Sequence, residues 1–507
     1  PADSETHRSD ASQPSGPEVD ARPPATGAAT TRARMWAVIR LGMTDDSTTA
    51  RDDTPVDRAV TARLDTYQDR LFELLSQPSV SATGEGMEAA APLVGSILGE
   101  CGMTVEQVET DRYPLVYAEY VPEAVADASA TVPTVLFYGH YDVQPPGDPS
   151  AWTTPAFEPT VRDGAVYARG AGDNKGQFAA HAFAVDALRA ADAFPDVRVK
   201  LLVEGGEESG SEGLREYLGA DPDELADVDL VMVADGPRHA VADRDGTPVG
   251  VPTLLYGNRG VLSVQVDVRT ANTDLHSGNF GGPVPAATNR LVELLASMRA
   301  DDGDSIAIDG FHDDVAITAA DRALVEAIPD DSAAIREALD LDGFATDDPY
   351  YERLLTRPSM TVNGLEGGYQ GEGGKTVLPA RASAKLDFRL VPDQDPQAVF
   401  EAVRDHLEAR EPGVDVRYRS SFPPMKTPVD TPVAAPVRAA LQAVWGEEPV
   451  ELPLLGGSLP AAYFRTVPAL ADVPVLVVPY ANHDQGNHSP NEHLDLDCFE
   501  NGIRTSA

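Results

Sequence analysis

The stretch TVLFYGHYDVQPP, Thr134 to Pro146, sets the reading of the chain. Thr134 to Tyr138 form a short apolar run without alternation, which predicts a strand buried on both faces. Gly139, His140 and a polar loop with Asp142 follow, before Pro145 and Pro146. A lone histidine is ordinarily a surface residue or a satisfied core one. Whether His140 differs depends on what the ends of the other strands carry.

Working outward, the pattern alternates. KGQFAAHAFAVDALRAA reads as a helix, VRVKLLV as a strand, SEGLREYL as a helix and DLVMVA as a strand. Continuously apolar strands separated by helices predict an α/β domain whose sheet is covered on both sides. From Gly260 the style changes: LSVQVDVR and SAKLDFRL alternate strictly, as antiparallel strands with one wet face do. Helices are expected near 285–298 and 396–410. VAAPVRAALQAVWG and VPVLVVPYA then resume the covered style, so the middle unit is inserted into the first. The expected organisation is a tail at 1–55, an α/β domain in two parts at 56–258 and 425–507, and an inserted α+β domain at 259–424.

Residues 1–55 are rich in Pro, Ser, Thr, Ala, Asp and Arg without hydrophobic period, a composition that predicts disorder. Met43 opens MTDDSTTARDDTPVDRAV and is a candidate natural start. At the other end, Leu496, Phe499 and Ile503 keep helical spacing up to Ala507 with no C-cap glycine, so the helix is expected to continue. The 507 residues carry 39 basic and 82 acidic side chains, a net charge of −43. That balance argues against nucleic acid or an anionic membrane as partner. The basic residues include only five lysines, Lys175, Lys200, Lys375, Lys385 and Lys426, which together with the acidic surface suggests adaptation to concentrated salt. Cys101 and Cys498 are far apart and form no disulfide framework, which suits a cytoplasmic protein. No apolar run reaches the ~18 residues of a membrane span.

The ends of the buried strands carry the chemistry. TVLFYG delivers His140 and Asp142, VKLLVEG delivers Glu207 and Glu208, DLVMVA delivers Asp235, and PVLVVPYA leads through a loop to His488. Asp173, in ARGAGDNKGQ, precedes a helix and falls at the same edge. In open α/β sheets ligands bind outside the carboxyl ends of the strands, so neighbouring strands would make these groups converge. Two histidines with several carboxylates suit a hard-to-borderline divalent metal, with more ligands than one zinc needs. Asp142, two residues after His140, could orient the imidazole.

GHYDVQPP, ARGAGDNKGQ, EGGEESGSEGL, DLHSGNFGG, GGYQGEGGKTVLP, FRLVP, GGSLP and NHSPNEHL occur in an order that resembles the M20 metallopeptidases, within them the carnosinase-like dipeptidases. The resemblance spans about residues 57 to 507. It implies two divalent ions, zinc or else manganese or cobalt. His140, Asp173 and Asp235 would hold one, and Asp173, Glu208 and His488 the other. It also implies Glu207 as general base, a cis peptide at Asp173–Asn174, and a middle unit serving as lid and dimerisation domain. His276 would reach the oxyanion in the other subunit of a homodimer. Arg389, with Gly457 and Ser458, would bind the substrate carboxylate.

The expected activity is hydrolysis of the amide bond of dipeptides or related small peptides. The alternative is deacylation of N-acyl amino acids of the acetylornithine or succinyl-diaminopimelate type, which uses the same metals. GGYQGEGGKT is not a phosphate-binding loop: Gly368 and Gly374 enclose five residues where that loop has four, and a strand follows.

Overall fold

The computed structural model describes residues 54–125, 132–243, 245–300 and 305–507. Apart from Thr54 and Pro55, the expected tail lies outside them. The first element among the described residues is helix α1 (Pro55–Ser76), where the Thr54 side chain accepts from the Asp57 amide and Pro55 occupies the first turn. At its far end buried Lys175 donates from Nζ to the carbonyls of Leu74 and Gln77, at 2.9 and 2.6 Å.

The main sheet has eight strands: β1 (Thr104–Val108), β2 (Leu115–Tyr120), β3 (Thr134–His140), β4 (Arg198–Glu204), β5 (Leu230–Val233), β6 (Thr253–Leu255), and, far along the chain, β11 (Val450–Leu452) and β12 (Val475–Val477). Their spatial order is β1-β2-β4-β3-β5-β12-β6-β11. The block β4-β3-β5-β12 is parallel throughout, and Leu202, Tyr138, Val233 and Val477 stand level across it. These strands therefore end at one edge.

Helix α2 (Gly176–Ala190) covers one face together with α1 and α5 (Leu496–Ser506). It is buried from Gly176 to Leu188, which explains its almost uniformly apolar sequence. The other face packs Leu214, Leu218, Phe464, Val467 and Leu470 against Leu202, Tyr138 and Val231. Each fully buried leucine or valine of this kind contributes about 1.5–3 kcal/mol.

Between β6 and β11 the chain builds a second sheet from β7 (Gly260–Arg269), β8 (Ser359–Gly367), β9 (Arg381–Leu390) and β10 (Asp415–Phe422). All its pairings are antiparallel, in the order β8-β9-β7-β10. Leu262, Val264, Val266 and Val268 alternate onto a core with Leu386, Phe388 and Leu390, under helices α3 (Ala287–Ser297) and α4 (Pro396–Glu408). The alternation in the sequence marks this one-sided burial. The later part of the segment joining β7 to β8, after Phe311, returns to the main sheet instead: Val325, Ile328 and Leu355 join its buried cluster. Nothing in the local sequence pattern distinguishes those apolar residues from ones serving the second core. Among the described residues, no helix is long and apolar enough to cross a membrane.

Candidate active site

His140 is the last residue of β3 and is fully buried. Its ring Nδ1 lies 3.0 Å from the backbone carbonyl of Asp142, which can only accept, so that nitrogen carries the proton. Nε2 then presents a lone pair. It lies 3.2 Å from Asp173 Oδ1 and 3.6 Å from Asp235 Oδ2, yet among the described residues it has no hydrogen-bond partner. On the other side of Asp173, His488 Nε2 sits 3.1 Å from Oδ2 and 3.2 Å from Glu208 Oε2. Two donor groups thus share Asp173: His140 with Asp235, and His488 with Glu208.

The electrostatics of this pair of groups call for positive charge. Burial opposes protonation of His140, but Asp142, Asp173 and Asp235 push its pKa well up. Asp173 and Glu208 push His488 up to about 10. Burial works against ionisation of Asp173, and the two imidazoles more than offset it, holding the carboxyl below the usual range. Desolvation raises Glu208 and Asp235. Two histidines and three carboxylates around an unsatisfied buried nitrogen fit a pair of divalent cations.

The loop that carries Asp173 is held from several directions. The Asp173–Asn174 peptide is cis. Asn174 accepts from the His140 amide at 3.2 Å and donates to the Ala234 carbonyl at 2.7 Å, tying the ends of β3 and β5 together. Gln177 donates to the carbonyls of Gly172 and Gly236 and accepts from the amides of Tyr480 and Ala481. Glu492 accepts from the amides of Gly170, Gly172 and Asp173 at 3.0–3.1 Å and from Arg169 at 2.6 Å, entirely out of solvent. Sequence reasoning assigned no role to Asn174, Gln177 or Glu492. Glu492 lies in NHSPNEHL, four residues after His488, but an acid in an acidic chain offers no local mark of such a task.

Asp142 lies beside the imidazole and also holds a turn. Its two carboxylate oxygens each accept a backbone amide, from Glu207 and Glu208, at 3.1 Å, while the nearer one is 3.4 Å from His140 Nδ1. It therefore fixes the Glu207–Glu208 turn as well as facing the ring. Desolvation pushes the Glu207 pKa well above the ordinary carboxylate value.

Glu207, Glu208 and His488 open into a cleft of about 620 Å³ whose other wall comes from the second sheet. Arg389 alternates away from Phe388 and Leu390 and donates to Ser458 Oγ at 2.9 Å, bridging the two units. Gly457 is the preceding residue. His276 is not in this cleft: it is exposed at the start of helix Ser277–Phe280, where its Nδ1 accepts from the Gly278 amide at 3.0 Å. His483 and His493 stand apart from the metal-type cluster, the latter stacked on Tyr167.

A mixed sheet whose parallel centre gathers two histidines and two carboxylates around a shared aspartate, with Glu207 beside them and the second sheet opposite, defines a metal-dependent hydrolase. Residues 136–507 match the model of peptidase family M20/M25/M40, and the chain belongs to that family. It is 32% identical over 390 residues to beta-Ala-His dipeptidase of Mus musculus, over 74% of this chain and 76% of that one. It is 31% identical over 384 residues to the Cys-Gly metallodipeptidase dug1 of Schizosaccharomyces pombe, over 73% and 78%. Among solved structures, the M20 family metallo-carboxypeptidase Sso-CP2 from Sulfolobus solfataricus aligns with a TM-score of 0.78 at 32% identity, covering 87% of this chain and 97% of that one. Human carnosine dipeptidase 1 aligns with a TM-score of 0.70 at 28% identity, covering 89% and 97%.

Proposed function

We propose that this enzyme hydrolyses the amide bond of dipeptides or closely related small peptides. The observation that carries the reading is Asp173, whose two oxygens each face a different histidine, 3.2 and 3.1 Å away. His140, Asp173 and Asp235 would hold one divalent cation, and Asp173, Glu208 and His488 the other. Zinc suits this donor set, with manganese or cobalt as alternatives. When bound, the pair supplies Lewis acidity toward a carbonyl oxygen and toward a water.

Glu207 is the group that moves the proton. It neighbours a ligand without belonging to either cluster, and it opens into the cleft where a substrate would lie. It takes a proton from water and passes it to the leaving amine. Arg389, with Ser458 and the Gly457 backbone beside it, anchors the substrate's terminal carboxylate, which a planar guanidinium binds through two hydrogen bonds. His276 steadies the developing oxyanion. Since it lies outside its own cleft, it acts in a neighbouring subunit, which makes the working enzyme a homodimer. Domain limits near residues 259 and 424 and a cytoplasmic setting complete the reading.

The names of the relatives support dipeptides over N-acyl amino acids. The test is a turnover profile of metal-loaded enzyme on both substrate classes, from dilute buffer to molar KCl. Dipeptide hydrolysis that strengthens with salt is expected; hydrolysis confined to N-acyl amino acids would overturn the dipeptidase reading. Glu207→Gln should lower turnover by a factor on the order of 10² or more with both metals retained. Metal loss in that variant would mean that Glu207 and Glu208 have exchanged roles.

A further inference from the structure

Two arginines of the cleft have no place in the mechanism above. Arg215 stands on the short helix Glu212–Gly219, one turn beyond the Glu207–Glu208 loop. Arg419 comes from β10 on the opposite wall, and both line the same space as Glu207, Arg389 and Ser458. Among the described residues, no carboxylate pairs with Arg215, Arg389 or Arg419, although the chain carries a net charge of −43. Two neighbouring charges are already matched. Arg417, two residues before Arg419, is held by Asp267, and Glu212 faces Arg112 at 3.4 Å.

The backbone at Arg419 is irregular where it enters the cleft. Tyr418 pairs with Val264 and Ser420 with Ser263, so Arg419 is the extra residue of a β-bulge. Bulges re-aim a side chain and interrupt a ladder, and they concentrate near active sites. Here the interruption puts Tyr418 to Phe422 consecutively along the cleft, where a regular strand would offer every second residue.

We propose that Arg215 and Arg419 form a second carboxylate-binding subsite, and that the enzyme's substrates are dipeptides whose C-terminal residue is aspartate or glutamate. The proposal rests on the dipeptidase reading and narrows it. Arg389 of β9 and Phe422 of β10 pair with Val261 from the two sides of the central strand β7, and Arg419 lies three residues before Phe422. Strand spacing and rise put the Cα atoms of Arg389 and Arg419 roughly 13 Å apart. Two arginine side chains reaching inward from those positions meet the two carboxylates of a single acidic residue, its α-carboxylate on Arg389 and its side chain on Arg419. Arg215 closes on that side chain from the opposite wall.

The test compares kcat/KM for Ala-Glu and Ala-Gln, which differ in one charged group, in wild type and in Arg215→Gln and Arg419→Gln. The ratio is the readout, because a general loss of activity does not move it. Wild type should favour Ala-Glu at least tenfold, each variant should cut the ratio severalfold, and the double variant should bring it near one. A wild-type ratio near one, or a ratio that survives the double substitution, would overturn the subsite while leaving the dipeptidase reading intact. Preference for Glu-Ala over Gln-Ala in place of the Ala-Glu preference would refute the assignment to the leaving residue. If no dipeptide is cleaved, the dipeptidase reading itself fails and the subsite falls with it.

Discussion

Glu492 receives three backbone amides and the Arg169 guanidinium, and one of those amides belongs to Asp173. Its carboxylate therefore sets the loop from which the shared aspartate faces both histidines. A glutamine has one acceptor oxygen and would leave buried Arg169 without its counter-charge. Glu492→Gln should weaken metal affinity by about 10–100-fold, the usual cost of losing a group that orients ligands. Metal content after dialysis against graded chelator checks this, and retention equal to wild type would show that the loop holds without Glu492. His140, Asp173, Glu208, Asp235 and His488, which the fold gathers, were legible because each follows a buried apolar run or sits in a distinctive short motif. Glu492 was not, because its partners are some 320 positions away and its own neighbours say nothing of them.

Within the covered sheet, one helix meets one strand through a histidine. His181 of α2 stacks on Phe137 of β3 at 4.1 Å, and its Nδ1 is 2.9 Å from Ser506 Oγ in α5. Burial alone pulls its pKa down from 6.5 to about 3. The folded state keeps the ring neutral while the unfolded chain takes up a proton below pH 6.5. The resulting stability is complete above 6.5 and is lost progressively as pH falls toward about 3. His181→Phe removes this linkage, so its stability between pH 6 and 4 should fall less steeply than wild type, by up to about 1.4 kcal/mol per pH unit. Urea titrations at several pH values measure the difference in slope, which is independent of any change in packing; parallel curves would refute it. Helix and strand boundaries such as Pro396–Glu408 lay close to expectation because periodicity is a local property. The bulge at Arg419 has no comparable signature, since YRSSF reads as an ordinary edge strand.

On the scale of the molecule, the cleft has one wall from each sheet, and His276 stands exposed outside it. A subunit exchange separates the proposed trans arrangement from a monomeric one. His276→Ala should keep its metals and lose on the order of 3 kcal/mol of transition-state stabilisation. Glu207→Gln should fail for want of its base. Mixed under conditions that exchange subunits, the two should regain activity, because one heterodimer site then combines an intact base with a histidine from across the interface. Activity that stays at the level of the parents, with heterodimers demonstrated, would refute both the dimer and the trans role.

Local order in the chain sufficed for the alternation of elements, the change from covered to one-sided strands at Gly260, and the groups at the strand ends, because each depends on residues within a few positions of one another. The parallel block β4-β3-β5-β12 required the fold, since β12 comes more than two hundred residues after β5 and only pairing makes them neighbours. The same holds for the return of Val325, Ile328 and Leu355 to the main core, for the amides gathered by Glu492, and for Arg215 and Arg419 meeting across one cleft. Hydrophobic burial and backbone hydrogen bonding act between surfaces wherever the chain brings them together, and the separation of those surfaces along the sequence leaves no trace in either one alone.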